Sequence, residues 1–398
     1  MTEQNRKYLP TKLAGYVGFV VQAIVNNFLP ILFIVFQDIY GLGYEKLGRL
    51  IVFNFALQMF IDFLTPKIIH KIGYRSAAFL CQFTACLGLC LMAILPRVMP
   101  NPYVAMFIAI AVYATGSGLM EVILSPMIEM LPTSNKSGNM AVLHSFYCWG
   151  QTLVVPLTTA MVVIFGRENW SYIPLVWAVV PFINMLAFLR VPIVEPGKEE
   201  KQSTLIELLK TPTFIVYMFM MFCGGASEIA MSQWASLFVE QALGVSKAIG
   251  DIVGPCLFAL FMALGRVIYA KFSKMVSFTR VLIWLNILCF VCYVMVGLCK
   301  IAALSLIFCA LCGFSVSISW PGIYSAGART FKTGGAVMFS AFAMCGDTGC
   351  ALGPGLVGLV AEYTNLNIGF LAAAVFPLIM VICSLYILKF KVAKTENK

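Results

Sequence analysis

Two carboxylates stand inside long apolar runs: Glu121 in GSGLMEVILSP and Glu228 in FCGGASEIAMSQWASLFVE. A carboxylate near the middle of a bilayer costs at least about 2.5–3.5 kcal/mol unless it faces protein, water or a ligand. Each therefore needs a partner, and each can accept hydroxyl hydrogens or carry a proton. Glu121 has Gly118 three residues before it and Ser125 four after, which places small or polar neighbours on one helical face. Glu228 has Ser232 at i+4, whereas Trp234 at i+6 is displaced by about 120° on a 3.6-residue helix. A structural hydrogen bond to a neighbouring helix is the plainer role for each carboxylate, and helix packing is the plainer role for the indole.

Other polar groups recur at helical spacing. Gln22 and Asn26 lie one turn apart in VQAIVNNFLP, with Asn27 beside them, and amides both donate and accept. His144, Tyr147, Cys148 and Gln151 form a stripe at i, i+3, i+4 and i+7. His144 titrates nearest neutrality and so is a candidate proton carrier. Gln233 flanks Trp234, and Ser315, Ser319 and Trp320 precede Pro321 in GFSVSISWPGIYS. Interhelical hydrogen bonding accounts for such polar residues equally well. Asp62 and Asp251 fall towards segment ends, where gate salt bridges or solvation suffice, and Asp347 in CGDTGCALGPGLVG is set to meet Arg329 or Arg266, or an ion.

The elements that position these groups are transmembrane helices. The 398 residues are 61% hydrophobic and 11% charged, against roughly 45–50% and 25% in soluble chains. A bilayer span takes about 20 apolar residues, and twelve such runs are present, near 13–37, 47–69, 76–96, 102–130, 139–165, 170–191, 213–239, 249–271, 279–299, 301–326, 334–361 and 366–388. The first run is longer than a signal-peptide core and lacks a small-residue cleavage site, so it reads as a retained span. Of 27 Lys and Arg, 20 fall on the side of both termini and 6 on the other, with Arg266 inside span eight. That asymmetry places both termini in the cytoplasm.

The net charge of +10 follows from this loop bias and gives no support to nucleic-acid binding. The 14 cysteines lie almost wholly in apolar runs and read as small hydrophobes. With only two histidines, His70 and His144, and neither near a CxxC, no metal site and no cofactor are expected. The polar stretch PIVEPGKEEKQSTLIELLKTP separates two six-span halves, residues 1–191 and 213–398, joined by a linker at 192–212 whose TLIELLK core suits a short amphipathic helix. An offset of 195 aligns Ser125-Pro126 with Trp320-Pro321, and one of 201 aligns Gly43 with Gly244, Lys46 with Lys247 and Asn27 with Glu228. Weak internal symmetry of this kind is the trace of a duplicated transporter.

Several segments resemble the major facilitator superfamily. PKIIHKIGYRSA is similar to its G-x-x-x-D-R-x-G-R-R signature, keeping Lys71, Gly73 and Arg75 but placing His70 at the Asp and Pro66 at the first Gly. GRVIYAKFSK, with Gly265, Arg266 and Lys271, looks like its second-half counterpart. Spans four and seven resemble the fucose–galactose–glucose permease group at Glu121, Ser125, Pro126, Glu228 and Trp234, and span ten resembles that group's small-polar-then-Pro segment. Span one departs from it, with Asn26 and Asn27 where proton-coupled members often carry an Asp.

The resemblance implies an all-α membrane protein of twelve helices in two pseudo-symmetric six-helix bundles, working by alternating access with spans one, four, seven and ten lining the cavity. The expected solute is a monosaccharide, coupled to protons through Glu121, Glu228 or His144. Its expected contacts are Gln22, Asn26, Asn27, Glu121, Tyr147, Gln151, Glu228, Gln233, Trp234, Ser319 and Trp320. Lys71, Gly73, Arg75, Arg266 and Asp347 are expected to serve gating or conformational change, and no basic cluster is seen at midplane depth to receive an anion. A monomeric plasma-membrane protein, of the bacterial inner membrane type, is expected rather than an enzyme, since no nucleophile–base constellation emerges. Export of amphipathic compounds and nutrient sensing without flux remain the alternatives.

Overall fold

In the computed structural model, residues 6–195, 203–243, 247–299 and 301–396 are described, and every regular element among them is a helix. Gly244 and the side chains of Lys247 and Asp251 lie outside the described residues, as do 196–202 of the linker. Among the described residues eleven helices are long and apolar enough to cross a membrane. One of them, Arg49–Val98, has 50 residues, about 75 Å at 1.5 Å per residue, more than twice a ~30 Å hydrocarbon core. It is two spans joined at Gly73, whose φ of 76° and ψ of 167° interrupt the helix. The twelve runs read from hydropathy are therefore twelve helical spans.

That backbone conformation is essentially restricted to glycine and costs other residues about 1–3 kcal/mol. Gly73→Ala is accordingly expected to lower the unfolding free energy by that amount in a denaturant titration in detergent. An unchanged midpoint would mean that the turn relaxes freely.

Three spans are broken within the membrane. Span one runs Leu9–Ile31 and continues as Phe33–Tyr40. Span ten runs Ala302–Val316 and resumes at Ser319–Thr330, and span twelve is divided between Leu366–Ala373 and Val375–Glu396. In the last two a proline explains the break. Pro321 and Pro377 have no N–H to return to the carbonyls of Ser317 and Ala373, four residues earlier. In the linker, Leu205–Leu209 is a short helix closed by a capping box in which Thr204 and Glu207 satisfy each other's backbone amides.

The chain forms two compact units, Met1–Ser134 with Trp149–Glu200, and Asn135–Cys148 with Lys201–Lys398. The division passes through span five, Lys136–Phe165, whose first half counts with the second unit. Within unit 1, the turn after span two is tied to the end of span six. Arg75 donates to the carbonyls of Phe188, Leu189 and Val191 at 3.0, 3.1 and 3.0 Å, groups that a helix C-terminus leaves unsatisfied. The turn carries no acid of its own, since His70 stands at the Asp position. Glu195 supplies one from beyond span six, accepting from the amides of Tyr74 and Arg75 at 3.2 Å each.

Within unit 2, spans seven and eleven approach backbone to backbone. A Cβ at Gly353 would meet the Ala226 carbonyl at 2.5 Å, and Cβ atoms at Gly225 and Gly349 would meet the carbonyls of Gly346 and Phe222. Gly349 and Gly353 form the G-x-x-x-G spacing that permits such contact in membranes. Among the described residues none of the 14 cysteines forms a disulfide.

Candidate functional sites

In unit 1, three spans each present two polar residues one turn apart: Gln22 and Asn26 from span one, Asn54 and Gln58 from span two, Ser117 and Glu121 from span four. They meet in two layers. In the first, Glu121 Oε2 accepts from Gln22 Nε2 at 2.8 Å and Gln58 Nε2 at 3.5 Å. In the second, Asn26 Oδ1 accepts from Asn54 Nδ2 at 3.3 Å and Ser117 Oγ at 3.5 Å. Gly118 makes the convergence possible, because a Cβ there would lie 2.7 Å from the Gln58 carbonyl and 3.1 Å from a carboxylate oxygen of Asp62.

Three carbonyl oxygens in this cluster, Oε1 of Gln22 and Gln58 and Oδ1 of Asn54, are buried and accept no hydrogen bond. Leaving such a group unmet costs about 1–3 kcal/mol. Asp62, expected near a solvated span end, is instead fully buried one turn beyond Gln58. Asn54, Gln58 and Ser117 were not singled out from sequence. The i, i+4 polar pair Asn54/Gln58 in span two was the available signal. Asn27 turns away from the cluster and donates to the Ala23 carbonyl of its own helix at 2.9 Å.

In unit 2 the partner of Glu228 is Arg266, at 3.7 Å, with side chains only 9% and 3% exposed. Gly265 explains how span eight reaches this point, since a Cβ there would lie 2.7 Å from Ser317 Cβ and 3.1 Å from the Phe314 carbonyl. Arg266 Nε donates at 2.8 Å to the Ser317 carbonyl, the group that Pro321 leaves without its helical donor. Its other nitrogens donate to the His144 carbonyl at 2.6 Å and the Cys148 sulfur at 3.0 Å, and one faces the Met262 sulfur at 3.4 Å. Among the described residues the interior thus does hold one buried cation, but a saturated one. Arg266 and Gly265 lie well inside the helix Lys247–Phe272 and not at a loop.

The remaining expected residues are dispersed. The His144 ring lies 5.7 Å from that of Tyr324. Tyr147 and Gln151 are half-buried, on the unit 2 and unit 1 portions of span five respectively. Trp234 faces span eleven and not the Glu228 side: its indole donates to the Pro354 carbonyl at 3.1 Å and its ring lies against Gly358. Gln233 is exposed. Ser319 is buried beside Gly224 with its hydroxyl unmatched, and Trp320 packs its ring over Gly346. Lys71 is exposed, Asp347 is half-buried, and Arg329 donates to the Ser137 hydroxyl.

The sequence profile of the Major Facilitator Superfamily matches residues 15–354. The chain belongs to that superfamily. It is a multi-pass membrane transporter by family. The E. coli fucose:proton symporter FucP shares its fold at a TM-score of 0.80 and 14% identity, covering 96% of this chain and 99% of that one. The proton:xylose symporter XylE, bound to 6-bromo-6-deoxy-D-glucose, gives 0.81 and 11%, covering 97% and 96%. The human organic anion transporter MFSD10 (TETRAN) gives 0.76 and 13%, covering 96% and 100%. No curated protein matches the sequence.

Proposed function

We propose that the transporter moves a monosaccharide or similar neutral polyol by alternating access, as a secondary active carrier driven by protons. Two six-helix bundles, 1–191 and 213–398, joined by the linker 192–212, would carry the motion. The observation that carries the reading is the saturation of the interior charge. Arg266 is spent on Glu228, two carbonyls and a thiol, so it offers nothing to an anion. Recognition is left to neutral groups of each unit by itself, half-buried Asn26, Asn27 and Gln151 in unit 1 and Tyr147 in unit 2, whose amides and phenol match hydroxyls. FucP, a fucose:proton symporter, and XylE, a proton:xylose symporter, support the same class. Glu228 is the proposed proton carrier, because protonating it dissolves its pairing with Arg266; both termini are proposed to face the cytoplasm.

Counterflow of labelled monosaccharides into proteoliposomes tests this. At least one sugar is expected to exchange, and Asn26→Ala or Gln151→Ala to weaken half-saturation about 2- to 10-fold, the worth of one neutral hydrogen bond. Exchange of no sugar, or accumulation indifferent to a collapsed proton gradient, contradicts the substrate or the coupling respectively.

A further inference from the structure

We propose that the buried polar cluster of unit 1 is a binding site for a dehydrated monovalent cation of the sodium class, coordinated by the side-chain carbonyls of Gln22, Gln58 and Asn54 together with the Glu121 carboxylate. The orientation of the amides carries the assignment. Gln22 and Gln58 both direct their nitrogens at the same oxygen of Glu121, and turning either over would set a carbonyl against a carboxylate. Asn54 donates to the Asn26 side-chain carbonyl in the same sense. The oxygens are thereby left as the open ends, and all three lack a partner.

The set is made only of hard oxygen ligands, which suit alkali and alkaline-earth ions and not the softer transition metals. Glu121 brings a single negative charge to the four ligands, which matches a monovalent ion; Asp62, buried one turn further along span two, is not among them. Size argues against a sugar ring at this point. Gln22, Gln58 and Asn54 are 3%, 2% and 5% exposed, so a hexose does not reach these oxygens. The proposal goes beyond the monosaccharide reading and is tested with no solute present, so either can fail without the other.

The full-length protein in detergent is melted at constant ionic strength in sodium, lithium, potassium, calcium and choline chlorides, and retention of radioactive sodium is measured by scintillation proximity. Sodium is expected to raise the melting temperature saturably while choline does not, and labelled sodium to be displaced by unlabelled sodium. Gln58→Leu and Asn54→Leu are expected to weaken sodium at least tenfold. Equal melting in sodium and choline with no retained label would mean that water alone meets these oxygens, and overturns the site. A response to calcium but not sodium overturns the monovalent assignment, and sodium binding unchanged in both leucine variants overturns the location.

Discussion

Arg266→Met is expected to lower the unfolding free energy by about 3–5 kcal/mol, the usual consequence of leaving one member of a buried ion pair behind. The loss has two parts. Glu228 is stranded in the interior without its cation, and the Ser317 carbonyl, already deprived of a helical donor by Pro321, loses the guanidinium that replaced it. Adding Glu228→Leu to the same chain removes the stranded charge and is expected to recover part of the stability, with a coupling energy of at least about 1 kcal/mol for residues in direct contact. Denaturant titrations of wild type, both singles and the double variant measure it. Strictly additive losses would show that the two side chains do not sense each other. The same set bears on transport, since a carrier that loads its proton on Glu228 should lose gradient-driven accumulation in Glu228→Gln while keeping exchange at equilibrium.

Trp320→Ala should cost about 3–5 kcal/mol of stability, as large aromatic truncations in packed interiors do. The indole is 8% exposed, lies over Gly346 and meets Tyr324 at 6.2 Å between ring centroids. Gly346 has no side chain because Trp320 occupies the space that a Cβ would take. A thermal melt of the variant reads the loss directly. Wild-type stability together with weakened sugar affinity would instead make Trp320 a platform for the solute ring.

The membrane class, the twelve spans and the break in span ten were all legible in the chain, because each is a local property. Hydrophobic runs report bilayer length, a glycine in a polar turn reports a conformation closed to other residues, and proline removes one named hydrogen bond. Motifs at Glu121, Glu228 and Arg75 pointed to the superfamily. The pairing of groups was less accessible. Glu228 and Arg266 are 38 positions apart, Gln58 and Glu121 are 63 apart, and nothing in helical spacing tells which face of one helix meets which face of another. Trp234 illustrates the difference: its 120° offset from Glu228 was evident, and the structure resolves it by sending the two residues to different neighbouring spans.

Glu228 and Glu121 read alike from sequence, each a carboxylate among small residues in an apolar run. Tertiary packing made them unlike. Gly265 lets span eight bring an arginine to Glu228, and Gly118 lets span two bring an amide to Glu121. The amino-acid sequence by itself determined that two buried carboxylates would need partners, because burying a charge is costly wherever it occurs. Only the tertiary structure decided that one receives a cation and the other a ring of amides, because that depends on which helices can approach closely enough to touch.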